Sequence, residues 1–292
     1  MPGREVFGEE EIQQVAEVLK TGVLFRYGFE DQRKGVFKVV QFEKEFAAYT
    51  GSLYALGVSS GTAALKTALK GLNLPEKTKV LTPCFTFVAT IESIEEAGLI
   101  PVLCEIDESL NISVQDIESQ IDKQTSAVLP VHMMGSACDM SGIMAASNQF
   151  NLPVIEDACQ ATGAEYKGKK LGTFGKYGCF SFDYVKVLTT GEGGMLVTDN
   201  EEIYNRVKVM RLHGINRDIW ERYTKKTSWE YDVIAPGFKY NMPDINAAVG
   251  LAQLEKAGYF REQRQHCAEY YYKHLTEIPV IDLPVCERPM ED

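Results

Sequence analysis

The chain of 292 residues predicts an α/β protein whose mostly parallel sheet is covered by helices. Three observations carry that expectation. Short apolar runs of strand length alternate with helix-length segments, the pattern of parallel strands joined by crossover helices. A carboxylate, a hydroxyl and a lysine stand at or just beyond the ends of those runs, where open parallel sheets place their sites. No internal repeat or low-complexity stretch breaks the alternation.

In chain order, residues 9–20 and 40–49 read as amphipathic helices, the second with Phe42, Phe46 and Tyr49 on one stripe. An Ala/Leu-rich helical segment follows the small residues at 58–62 and runs to Gly71. Strands are expected at 80–81, 102–104, 127–131, 154–155, 179–182 and 195–197. Helical stretches near 87–96, 113–121, 140–150 and 201–212 lie between and after them. Residues 214–235 are the least regular, with Trp220, Tyr223, Trp229 and Tyr231 set among charges. Such aromatics suit a substrate lid, a subunit contact or simple packing of the loop. Residues 244–257 and 258–275 read as helices leading away from a large domain spanning 1–257, and 258–292 read as the beginning of a smaller one.

The chemistry concentrates in three places. The run Gly178-Cys179-Phe180-Ser181-Phe182 delivers a hydroxyl and then Lys186 into the glycine-rich turn Gly191-Glu192-Gly193-Gly194. Burial beside an apolar strand favours a neutral amine over an ammonium, and a free amine in a pocket is what Schiff-base chemistry with an aldehyde requires. Alone, such a lysine is more often a solvated strand end. The run 152–157 ends in Asp157, an acid suited to the ring nitrogen of a pyridoxal cofactor, with Gln160 three residues on to reach a ring hydroxyl. The competing role for Asp157 is a helix N-cap. Ser59-Ser60-Gly61-Thr62 opens a helix, where free backbone N–H groups and the helix dipole attract phosphate. Ser181, five residues before Lys186, is a second candidate phosphate ligand.

These residues and their order resemble the sugar aminotransferases of the DegT/DnrJ/StrS group, which are fold-type I enzymes dependent on pyridoxal 5'-phosphate (PLP). The resemblance takes in residues 22–42 with Phe46, residues 59–65 and 82–90, and Val131-His132-Met133-Met134-Gly135. It continues through residues 156–161 and 181–194, Arg211-Leu212-His213-Gly214, and residues 237–248. It implies that Lys186 binds the cofactor aldehyde and later moves the substrate proton, while Asp157 pairs with the ring nitrogen and Gln160 with the ring oxygen. It assigns the phosphate to Gly61, Thr62 and Ser181, and the face of the ring to Phe87. Asn241 would reach the phosphate of the neighbouring subunit, so a homodimer would share its active sites.

The implied reaction is a ping-pong transfer of an amino group from L-glutamate or glutamine to a keto-sugar. Residues 22–29 with Arg33 and Lys34 are similar to members that aminate 8-dehydro-3-deoxy-octulosonate, in which case Arg26, Arg33 and Lys34 would meet the sugar-acid carboxylate. The alternatives are a nucleotide-linked keto-sugar for cell-surface polysaccharide or antibiotic sugars, and a non-catalytic PLP-binding regulator of the same fold. Sugar dehydratases of this fold carry histidine in place of Lys186. Two departures stand out: Asp183-Tyr184-Val185 precedes the lysine where many members have a His-Pro type pair, placing Tyr184 near the substrate, and Cys159 replaces the usual alanine. Relatives continue well past Asp292, so the resemblance also implies a truncated small domain and a missing substrate wall.

Composition fits such an enzyme and excludes other classes. A net charge of −11 without a basic cluster argues against nucleic-acid and anionic-membrane partners. No apolar run reaches membrane-spanning length and the first residues form no signal peptide, so a cytoplasmic location is expected. The seven cysteines are scattered without a Cys-x-x-Cys pair, and the four histidines lack metal-ligand spacing, so neither a disulfide framework nor a metal site is expected.

Overall fold

The computed structural model describes residues 3–215 and 232–285. The aromatic loop residues Trp220, Tyr223, Trp229 and Tyr231 lie outside them. Among the described residues, seven strands form the central sheet: β1 (Tyr54–Val58), β2 (Lys79–Pro83), β3 (Ile100–Cys104), β4 (Thr125–Val128), β5 (Ile155–Asp157), and two more after a small hairpin. That hairpin is β6 (Glu165–Tyr166) with β7 (Lys169–Lys170); β8 (Tyr177–Ser181) and β9 (Gly194–Thr198) follow it. Hydrogen bonding orders them β1-β9-β8-β5 and β3-β2-β4. Single parallel bridges, Val128 to Val154 and Val131 to Asp157, join β4 to the β5 side. The β2–β3, β2–β4 and β5–β8 pairs are parallel, and β9 runs antiparallel to both β1 and β8.

Helices cover both faces: α1 (Glu9–Thr21), α2 (Glu30–Arg33), α3 (Lys38–Thr50), α4 (Gly61–Gly71), α5 (Val88–Glu96), α6 (Val114–Gln120), α7 (Met140–Gln149), α8 (Glu201–Met210), and, beyond the undescribed stretch, α9 (Asp244–Glu255) and α10 (Ala257–Leu275). Strand alternation divides the core in two. Phe180 of β8 and Phe182 just beyond its end pack with Phe42, Phe46 and Leu251 on one face, while Tyr177 and Cys179 point to the other with Leu56, Leu65 and Leu69. Each large apolar side chain so buried contributes about 1.5–3 kcal/mol. Helix α10 continues from α9 through Lys256 and buries only Ala257 and Phe260.

Two buried ion pairs anchor the segment between α1 and α3. Arg33 donates to Asp244 of α9 and to the carbonyls of Phe25 and Gly28, and Asp244 also accepts the Val39 N–H. Burial pushes the Asp244 carboxyl up, with the Val39 N–H and Arg33 acting against it. Arg26 faces Glu43 at 2.5 Å, out of hydrogen-bond alignment, with both side chains more than nine-tenths buried. The expectation that Arg26 and Arg33 meet a sugar-acid carboxylate is therefore corrected: both charges are already answered by carboxylates inside the fold. Lys34 of that group is exposed.

Candidate active site

The strand ends gather the expected residues at one edge of the sheet. β1 ends at Val58 and feeds α4 through Ser59 and Ser60, β5 ends on Asp157, β8 ends on Ser181, and β2 leads through Phe87 into α5. β9 runs the other way and so begins here, at Gly194, opposite both Val58 and Ser181.

The start of α4 is a cradle for an anion. Ser60 Oγ accepts the Ala63 N–H and the Ser60 carbonyl takes the Ala64 N–H. The N–H groups of Gly61 and Thr62 therefore have no intrahelical carbonyl to donate to. Thr62 is exposed and Gly61 buried. A Cβ at Gly61 would lie 2.7 Å from Ser181 Cβ and 2.8 Å from Cys159 Sγ, so only glycine lets the helix start press against β8 and the turn after β5. Gly61→Ala is expected to destabilise the fold by about 1–3 kcal/mol and to weaken anion binding there, as read from urea unfolding and PLP titration.

Asp157 is buried with both oxygens engaged: Oδ1 accepts the Cys159 N–H at 3.1 Å and Oδ2 the Thr90 hydroxyl at 2.9 Å. Its neighbour Glu156 points to the opposite face, where it accepts N–H bonds from Gly172, Phe174 and Gly175 and faces His132 Nε2 at 3.1 Å. Because His132 Nδ1 accepts the Cys138 N–H, its proton sits on Nε2 and points at Glu156. This buried pair fixes the strand that carries Asp157.

Gln160 Oε1 accepts the Met134 N–H at 3.0 Å, and among the described residues its amide nitrogen meets Met133 Sδ, 3.7 Å away. Lys186 is half-buried; its N–H bonds Asp183 O at 3.0 Å and its carbonyl accepts the Gly3 N–H. Burial pushes the Cys159 thiol well up; Asp157 adds to this and Lys186 works against it.

Phe87 is the N-cap residue of α5, with 66% of its surface exposed, and its carbonyl accepts the N–H of Thr90, the residue whose hydroxyl holds Asp157. Asn241 bridges through its backbone to Val58 of its own chain, and the Ser59 N–H donates to Tyr240 O, which sets it beside the cradle. Tyr184 is half exposed, with the Arg4 guanidinium 4.3 Å from its ring centroid. Sequence reasoning missed Thr90 and the His132–Glu156 pair. Their signals were present: Thr90 follows Phe87 by three residues, one helical turn, and Glu156 adjoins Asp157 on a strand whose alternate side chains face apart.

The donor set fits PLP. Two N–H groups and the hydroxyls of Thr62 and Ser181 suit a phosphate, Asp157 a ring nitrogen, the Gln160 amide a ring oxygen, and the Lys186 amine an aldehyde.

Comparison with known proteins agrees with this chemistry. Residues 6–290 match the DegT/DnrJ/EryC1/StrS aminotransferase family. The chain is 42% identical over 288 residues to MJ1066 of Methanocaldococcus jannaschii, a protein of uncharacterised function, covering 98% of this chain and 72% of that one. It is 41% identical to the spore coat polysaccharide biosynthesis protein SpsC of Bacillus subtilis, covering 96% of this chain and 70% of the relative. Among solved structures, S. venezuelae DesV superimposes with a TM-score of 0.85 at 30% identity, covering 96% of this chain and 70% of that one.

Proposed function

The chain belongs to the DegT/DnrJ/EryC1/StrS family of PLP-dependent aminotransferases, and from that premise we propose that it aminates a nucleotide-linked keto-sugar destined for surface polysaccharide, with L-glutamate or glutamine as donor. The observation that carries the chemistry is the gathering of Asp157, Ser181 and the Gly61 cradle at the strand ends, with Lys186 five residues beyond Ser181 and its charge acting on Cys159. The sugar class is supported by the likeness to a spore coat polysaccharide biosynthesis protein. It is supported also by the burial of Arg26 and Arg33 in ion pairs, since these are two of the three cations expected to meet an octulosonate carboxylate.

When bound, PLP supplies an electron sink for carbanion chemistry at the substrate carbon. The protein supplies the rest. The Gly61 and Thr62 N–H groups with the Thr62 and Ser181 hydroxyls would hold the phosphate, and Asp157 would keep the proton on the ring nitrogen. Gln160 would donate its amide N–H to the ring oxygen and Phe87 would lie on the ring. Lys186 Nζ takes the α-proton of the amino donor and, in the second half of the cycle, returns a proton to the former carbonyl carbon of the sugar. Asn241 contributes to the neighbouring site in a homodimer, and Tyr184 borders the sugar. Among the described residues no helix is long and apolar enough to cross a membrane; the reaction we propose is cytoplasmic.

The test is direct. The PLP-loaded protein with L-glutamate is offered a nucleotide-linked keto-hexose or 8-dehydro-3-deoxy-octulosonate, and amino-sugar formation is followed by mass spectrometry. Product from the first supports the proposal. Product from the octulosonate alone refutes the sugar class, and no product from either with L-glutamate or with L-glutamine as donor refutes the activity.

A further inference from the structure

We propose that Thr86 and Thr90 are positioning residues: a one-way chain of hydroxyl groups that orients Asp157 and ties it to the segment carrying Phe87. Thr90 Oγ1 lies 2.9 Å from Asp157 Oδ2 and 2.8 Å from Thr86 Oγ1. An ionised carboxylate only accepts, so the Thr90 proton goes to Asp157. Thr90 Oγ1 must then accept, and the Thr86 hydroxyl is the donor. The direction of the whole chain, Thr86 to Thr90 to Asp157, follows from its last member.

Three features set this apart from ordinary packing. Thr90 is only 1% exposed, and a buried hydroxyl costs stability unless it is bonded. A helical threonine has a local alternative in the carbonyl one turn back, yet this one reaches a strand residue 67 positions away. The Thr90 N–H also bonds Phe87 O at 3.1 Å, so one residue touches the backbone of Phe87 and the side chain of Asp157. With Oδ1 held by the Cys159 N–H, each carboxylate oxygen has one protein donor, and the carboxylate plane is fixed before any ligand arrives. The ring face at Phe87 and the ring edge at Asp157 are thereby set by one device.

This inference rests on the cofactor role of Asp157, and its test separates the two. PLP is titrated into the full-length apo protein and followed by visible absorbance, with circular dichroism confirming the fold of each variant. Thr90→Val is expected to raise the PLP Kd about tenfold, as loss of a hydrogen bond to a charged group implies. Thr90→Ser, which keeps the hydroxyl, stays within about threefold of wild type, and Thr86→Val gives a loss of about threefold. In the double variant Thr90→Val/Asp157→Asn, the affinity is expected to match Asp157→Asn alone, because Thr90 acts through that carboxylate.

A wild-type Kd in Thr90→Val beside a weakened Asp157→Asn overturns the hydroxyl chain and leaves the site intact. Additive losses in the double variant also overturn it, since they mean Thr90 acts on the fold at large. A wild-type Kd in Asp157→Asn removes the role of Asp157 and the chain with it. Should Thr90→Val fail to fold, Thr86→Val breaks the chain one link away, and an unchanged Kd there overturns it.

Discussion

Lys186→Ala is expected to lower amino transfer by at least about 10²–10⁴-fold, the usual worth of a positioned acid–base group. The loss is expected in both halves of the cycle, because the same amine takes the proton from the donor and returns one to the sugar. PLP is still expected to bind, since the Gly61 and Thr62 N–H groups, Ser181 and Asp157 belong to other parts of the fold. Release of 2-oxoglutarate from L-glutamate measures the effect, and added methylamine, a small replacement for the missing amine, is expected to restore part of it. A variant retaining a tenth or more of the wild-type rate contradicts the assignment.

The largest stability effect is expected at Glu43. Its Oε1 accepts from Arg211 at 2.9 Å and from the Gly57 N–H at 2.8 Å, while its Oε2 faces Arg26. Arg211 is wholly buried and also donates to Gly57 O and Tyr27 Oη. Glu43→Ala strands two guanidinium groups in the interior, a loss of about 3–5 kcal/mol for a broken buried pair. Gly57 is one residue from the end of β1, which leads into the phosphate cradle, so PLP affinity is expected to fall with stability. Urea unfolding of the wild type and Glu43→Ala measures the first effect, and a difference below about 1 kcal/mol contradicts it.

What was legible in the sequence were features that depend on local pattern. The parallel strands around Asp157 and Ser181 announce themselves as apolar runs, and their chemical residues lie at strand ends because the fold leaves backbone and side chains free there. Strand β1 was missed because Tyr-Ala-Leu-Gly-Val is short, contains a glycine and shows no alternation. The reversal of β9 is invisible for another reason: direction is set by how the chain returns from Lys186, not by composition. The roles of Arg26 and Arg33 were misread because a guanidinium looks the same in sequence whether it awaits a ligand or already holds Glu43 or Asp244. Those carboxylates lie 17 and 211 positions away, and only the three-dimensional fold brings them in. Thr90 escaped for the same reason, its partner being distant in the chain.

The visible spectrum of the purified protein with PLP, recorded before and after L-glutamate and beside Lys186→Ala, tests the central claim most directly. The account predicts a visible band in the wild type that fades on adding L-glutamate, and a variant that binds PLP without showing that band or its response. A wild-type band unmoved by both L-glutamate and L-glutamine, or a variant that responds as the wild type does, would contradict it.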